Sequence, residues 1–337
     1  MIATNSSAKK VYFCVLRRFR LPGGVSLFFS EMFLRFLSSF VLLSLHRLST
    51  AREWWMDGTF SANPTVFSQL YTIHIKVHEE FIPQLWCLLP DKQGTTYVRL
   101  FQLLKQEALN NNTQLLPNTI HVDFEMAVMQ AVRSEFLIDA VGCLFHFSQS
   151  VLRHMQHLGL QMAYNSNAPP EVRQWIRRLI ALPLVPPIRL DQAFQAIVLN
   201  SPNVPGRDAM NDYVFNTYVD ANNALFPRDI WNCYGLQDRT TNICEGYHSS
   251  LNSHFQHHSP DPYAFIAFLQ QQDLQLERRV AQLQAGAPPK KRKAKYVLVN
   301  EAVLRLQNQY FSQVIPSIER VIQYMDAVAH QLYDVKH

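Results

Sequence analysis

The hydrophobic period of this chain changes near residue 147, and that change limits what the chain can fold into. Upstream lie short apolar or alternating runs that read as strands: WWMDGTF from Trp54, LYTIHIKV (70–77), EFIPQLWCLLP (80–90), TIHVDF (119–124) and DAVGCLFHF (139–147). The first is expected to end near Asp57, and the polar pair His78-Glu79 predicts a tight hairpin between the second and third. Two helical patterns interleave. From Thr95 to Leu109, Tyr97, Leu100, Phe101, Leu104 and Ala108 fall on one face, and Glu125 to Phe136 reads as a second helix. The order β-β-β-α-β-α-β, hairpin-rich and then alternating, indicates a mixed α/β sheet.

Beyond residue 147 the strand patterns disappear. Helical segments fill 147–235, broken by proline-rich joints at 169–170, 183–187, 202–205 and 227. A helix is expected from about Asn242 to Phe255, a long one over Pro262–Ala285, and a last amphipathic one over 299–333. No internal repeat is visible.

Hydrophobic residues make up 48% and charged residues 17%, enough apolar surface for a core and too little charge for a disordered chain. The five cysteines, Cys14, Cys87, Cys143, Cys233 and Cys244, are odd in number and widely spaced, which argues against a disulfide scaffold and for a reducing compartment. No CxxC pair encodes a zinc ribbon. The net charge of +5 is unevenly placed: residues 1–56 hold eight Lys/Arg against two Asp/Glu, and residues 57–287 hold 15 against 20. The body of the chain is therefore mildly acidic, and any contact with nucleic acid there needs local basic patches or bridging metal ions.

Residues 1–50 differ from the rest. Lys9, Lys10, Arg17, Arg18 and Arg20 precede LPGG and an apolar stretch from Val25 to Leu45. Its length suits a membrane span, but Glu31 and Arg35 near its middle make that costly. A signal peptide has a shorter apolar region and a small-residue cleavage site. The reading adopted is an atypical leader over 1–52, outside the fold, with no membrane partner.

Two aspartates close strands, Asp57 in MDGTF and Asp123 in HVDFE. Strand ends hold carboxylates at a fixed separation, which suits a site. Taken singly, Asp57-Gly58 is also a common turn and Asp123 a common helix cap.

Their context is more specific. DGTF, TIHVDFE, GCLFHFSQSV and TTNICEGYHSSLN occur in that order, with a long helical stretch before the last. The YTIH strand, the PLW and CLLP run, the TTY helix start and VPP accompany them. In this the chain resembles the Mutator-like transposases of mobile elements, from about Glu53 to Leu269. The resemblance implies an RNase H-like mixed five-stranded sheet with an all-helical insertion before the last catalytic helix. It implies a D-D-E site, and Asp57, Asp123 and Glu245 stand at the matching positions. These acids would be catalytic and would bind two Mg²⁺ (or Mn²⁺) ions, oxygen-seeking cations that suit carboxylates. The reaction implied is cleavage of a phosphodiester by water at an element end, then attack of the freed 3′-hydroxyl on target DNA. Transposon ends and target DNA are the implied partners, with a homodimer possible and no small-molecule cofactor.

Cys143 and His146 form a CxxH step, and Cys244 and His248 lie one turn apart on the helix of Glu245. A tetrahedral zinc site from these four is conceivable, but zinc is not expected. The expected roles are Cys143 packed beneath the site, and His146 and His248 orienting carboxylates or meeting DNA. Arg239, Thr241 and Asn242 lead into Glu245 as phosphate contacts or helix caps. His254, His257 and His258 read as capping or solvent-facing residues. The run PPKKRKAK, with Lys290, Lys291, Arg292 and Lys293, reads as a nuclear localisation signal.

The expected organisation is a leader (1–52), a first core part (53–147), a helical insertion (148–238), the Glu245 helix and its successor (239–285), a basic linker (286–298) and a C-terminal helix (299–337). Family members carry a zinc-containing DNA-binding domain ahead of the core, which the single Cys14 cannot supply. The expectation is therefore a core truncated or derived from a mobile element. The alternative is a host-recruited nuclear factor that binds DNA or protein without catalysis.

Overall fold

The computed structural model describes residues 18–20, 26–28, 39–61, 63–165, 170–255, 260–291, 294–311 and 317–333. In chain order the elements begin with a small antiparallel pair, β1 (Arg18–Arg20) and β2 (Ser26–Phe28), and helix α1 (Ser39–Thr50). The main sheet is built from β3 (Glu53–Thr59), β4 (Gln69–Val77), β5 (Glu80–Leu89), β6 (Thr119–Val122) and β7 (Val141–Gly142). Helix α2 (Gly94–Asn110) joins β5 to β6, and α3 (Met126–Phe136) joins β6 to β7. Helices α4 (Leu144–His157), α5 (Gln161–Asn165), α6 (Glu171–Ala181), α7 (Leu190–Leu199), α8 (Arg207–Val214) and α9 (Arg228–Trp231) follow. The chain ends with α10 (Asn242–His254), α11 (Pro262–Gln284), α12 (Ala294–Phe311) and α13 (Ile318–Tyr333).

The five strands lie in the order β5-β4-β3-β6-β7, antiparallel across β3, β4 and β5 and parallel from β3 to β6. The fold is thus α/β with a mixed sheet, as the strand pattern predicts. The hairpin at His78-Glu79 is a two-residue turn with both residues at positive φ (46° and 66°), the conformation that matches strand twist, here adopted without glycine. Pro83 sits in β5, an outer strand, where its missing N–H is tolerated. The register slips beside it: Ile73 pairs with Leu85 but His74 with Pro83, leaving Gln84 as the extra residue of a bulge.

Two compact units result, one of residues 1–140 and 241–290, the other of 141–240 and 291–337. In the first, alternation sends side chains to opposite sheet faces. One face meets α2 and α3: Tyr71 packs on Tyr97, Trp54 on Phe136, and Phe101 on Phe136, at 5.3–5.5 Å between rings. The other face meets α10 and α11, where Leu70, Trp86 and Leu88 pack with Leu251, Phe265 and Leu269. The second unit is helical around large aromatics. Phe147 stacks on Trp231 and packs on Tyr218, and Trp175 is buried with its indole N–H on Asn211. Arg178 makes a two-pronged ion pair with Asp326, tying α6 to α13.

Several expectations need correction. The strand expected over 139–147 is only Val141–Gly142, and α4 begins at Leu144. Alternation over a few residues fits both periods, but Leu144, Phe147, Val151 and Met155 recur at helical spacing and all are buried, so burial of that face decides. The helix expected over 299–333 is two helices, with Pro316 between them in sequence. They fold in the unit that contains 141–240. The leader does not stand wholly outside the fold: in α1, Leu45 and Leu48 are buried and Arg47 pairs with Glu277 and Gln84. The first strand also runs two residues past Asp57, to Thr59. Among the described residues no helix is long and apolar enough to cross a membrane, and much of the apolar stretch from Val25 to Leu45 lies outside them.

Candidate active site

Asp57 lies in the central strand β3, only 5% exposed. Its Oδ1 accepts the N–H of Gly58 at 2.9 Å, and its Oδ2 lies 3.3 Å from Nδ1 of His248 on α10. Gly58 is constrained by space, because a Cβ there would stand 2.5 Å from Oε1 of Gln69 and 3.3 Å from the Tyr71 ring.

The parallel pairing of β3 and β6 places the second aspartate. Trp55 pairs with His121, and Asp123 follows His121 as Asp57 follows Trp55, by two residues. Asp123 is the first residue past the end of β6, so continuing that register would set it level with Asp57. Glu245 lies in the first turn of α10, half-buried, three residues before His248 and so on the same side of that helix.

The face carrying Asp57 is unusually polar. Antiparallel pairing sets Thr72 against Asp57 and His74 against Trp55. The Thr72 hydroxyl lies 2.9 Å from Nε2 of His248 and 3.0 Å from Nε2 of His74. Burial, and then the neighbouring His248, push the pKa of His74 down to about 3, so its ring is neutral. Tyr247 on α10 closes this face, accepting the indole N–H of Trp86 at 2.7 Å and packing on His74. His121 stacks flat on Trp55, at 4.8 Å.

A fourth acid, Glu125, joins the neighbourhood and is not singled out by the sequence motifs. Its pKa is raised, first by burial and then by Asp123, against the opposing pull of Tyr97 and Lys92. The pKa of Tyr71 is raised well above its usual value, by burial first, then by Tyr97, Asp123, Asp57 and Glu125. Negative charge is therefore concentrated at this sheet edge. The signal for Thr72 and His74 is their spacing in YTIH, two apart on one face of a strand beside the first aspartate.

The other expected site residues are placed as follows. Cys143 is buried just before α4, and His146 is half-buried in its first turn. Both belong, with Arg239, to the helical unit. Arg239 is 5% exposed, its Nη2 on Asn300, and burial lowers its pKa. Thr241 is the residue before α10 and its side chain makes no capping hydrogen bond; the side chain of Asn242 lies outside the described residues. His254 stacks on Phe268 at 4.2 Å, while His257 and His258 lie outside the described residues. Lys290 and Lys291 are exposed, and Arg292 and Lys293 also lie outside the described residues.

Among the described residues no group of three or more His, Cys, Asp or Glu stands ready-gathered around a metal position. The donor chemistry at the sheet edge is still that of a hard divalent cation: carboxylate oxygens, no thiolate, and concentrated negative charge that a cation would relieve. No curated protein matches the chain. Residues 53–150 match the model of the MULE transposase domain, which makes this segment similar to the Mutator-like transposases.

Proposed function

We propose that this chain carries a D-D-E transposase core in which Asp57, Asp123 and Glu245 hold two Mg²⁺ or Mn²⁺ ions for DNA strand cleavage and strand transfer. The observation that supports this reading is the parallel register of β3 and β6, which leads toward Asp57 and Asp123 on neighbouring strands, together with the approach of α10 to Asp57 through His248. The strand order supports an RNase H-like assignment: counted within the sheet it is 3-2-1-4-5, with the second strand antiparallel to the first and third and the first parallel to the fourth. The helical stretch 141–240, between the second acid and the third, fits the insertion expected of such a core.

Metal ions held at this site would activate a water or a DNA 3′-hydroxyl as the nucleophile and stabilise the leaving oxygen. The protein's part is to hold the carboxylates at fixed spacing on the sheet and to orient Asp57 through Gly58 and His248. Arg239, Asn242, Cys143 and His146 are assigned to support or DNA contact. The partners are transposon ends and target DNA, with a homodimer holding paired ends. Residues 290–293 would direct the chain to the nucleus.

Titration of the full chain with Mn²⁺ by calorimetry, beside Asp123→Asn, is the first test. Binding by the parent and its loss in the variant are expected. A strand-cleavage assay with Mg²⁺ on DNA bearing candidate element ends follows. A folded parent that binds no Mn²⁺ and cuts nothing points instead to a host-recruited nuclear binding factor.

A further inference from the structure

We propose that Thr72 is a positioning residue of this site: its hydroxyl fixes the tautomer of His248 and, through it, the carboxylate of Asp57. The proposal rests on the functional reading above for its purpose, but its structural content stands on hydrogen bonding alone.

The argument is one of counting protons. A carboxylate only accepts, so the 3.3 Å charge contact of His248 Nδ1 with Asp57 Oδ2 favours a proton on Nδ1 over a bare nitrogen facing the oxygen. In a neutral imidazole Nε2 is then bare and needs a donor. The Thr72 hydroxyl, at 2.9 Å, supplies one. Thr72 has a single proton, and spending it on His248 leaves its lone pairs for the N–H of His74 Nε2, at 3.0 Å. Its longer contact to the Asp57 carbonyl, 3.3 Å, becomes secondary. The other ring nitrogen of His74, Nδ1, is buried with no hydrogen-bond partner among the described residues. As a bare nitrogen it is a tolerable orphan; as an N–H it would be a costly one. Every proton then points one way, from His74 to Thr72 to His248 to Asp57.

This chain has a use. Asp57 accepts the N–H of Gly58 on Oδ1 and faces Nδ1 of His248 with Oδ2, which holds the carboxylate plane and leaves its other lone pairs for a cation. The opposite arrangement makes His248 an imidazolium, with Thr72 accepting from both rings and donating to the Asp57 carbonyl. That state places a positive charge against the oxygen a cation needs.

The test is nitrogen-15 NMR of the histidine rings in the full metal-free chain at pH 7.5, with His248 assigned by its loss in His248→Gln. The expected spectrum has one protonated nitrogen, Nδ1, and one bare nitrogen, Nε2. In Thr72→Val the ring should shift toward the Nε2–H form, and Thr72→Ser should restore the parent spectrum. Mn²⁺ affinity measured by calorimetry should fall about 10- to 100-fold in Thr72→Val and return in Thr72→Ser. An imidazolium in the parent overturns the proposal, and that spectrum decides even if Thr72→Val does not fold. An unchanged tautomer in a folded Thr72→Val also overturns it. A parent that binds no Mn²⁺ but shows the expected tautomer removes the functional reading and leaves the Thr72 chain intact.

Discussion

The two units bury different things. In the helical unit, Asn211, Arg239 and Gln307 are the only described polar residues that are buried, and aromatic and aliphatic side chains fill the rest. Asn211 accepts from the Trp175 indole, and Gln307 donates to the Leu184 carbonyl and also bonds Tyr324. The sheet unit buries Asp57, Thr72, His74, His121, His248 and Asp273, among others. Burying such groups costs free energy unless they are partnered, and even then they contribute less than an apolar residue of the same size. The difference separates a unit whose interior is explained by packing from one whose interior carries polar groups that packing alone does not require.

The sharpest way to break this contrast is Trp231→Ala. Trp231 is fully buried, stacks on Phe147, and donates its indole N–H to the Tyr218 carbonyl. Its removal should cost about 3–5 kcal/mol in denaturant unfolding. A loss below about 1 kcal/mol would show that this interior does not depend on close packing.

Next comes Asp273, buried on α11 outside the candidate site. Burial, then Glu277, raise its pKa from 3.8 to about 6, with Arg47 opposing. The folded state therefore holds this proton more tightly than the unfolded one. Stability from this group is greatest below pH 3.8, declines as pH rises toward 6, and is flat above. Asp273→Asn should stabilise the protein at pH 7 by up to about 3 kcal/mol and flatten the melting temperature between pH 4 and 6. A destabilised variant would mean that the ionised carboxylate is needed where it stands.

Gly58→Ala probes the crowded strand beside Asp57. The new methyl must displace Gln69 from its hydrogen bond to the Tyr97 hydroxyl, at an expected cost of about 1–3 kcal/mol by thermal unfolding. The smallest effect is expected at the β4–β5 turn. Glu79 holds φ at 66°, and Glu79→Gly should gain about 1 kcal/mol, less the exposed pair with Lys76. A loss there would mean that the turn is held by its side chains.

What was legible in the sequence follows from length and distance. The face of α2 is read correctly, because five apolar positions over four turns leave one period possible, and all five are buried. The segment 139–147 is misread, because a few alternating residues also fit the start of a helix whose later turns decide the matter. Asp57 and Asp123 are visible as acids ending strand-like runs. Thr72 shows only as a polar residue two before His74 on one strand face, since its role depends on His248, 176 residues away, and on a strand register that local pattern does not encode. Glu125 is hidden for another reason: an acid at a helix start reads as an ordinary feature of helix termini.

The bulge at Pro83 and Gln84 has a consequence for the molecule's behaviour in a crowded solution. β5 is a terminal strand of the sheet, and a flat terminal strand offers its free backbone groups to any other chain that can pair with it. Here Pro83 has no N–H to offer, the bulge bends the row, and Arg47 from α1 holds the Gln84 side chain at 2.7 Å. The outer rim is thereby protected against aggregation through strand addition, by a kink written into a single proline and the residue after it.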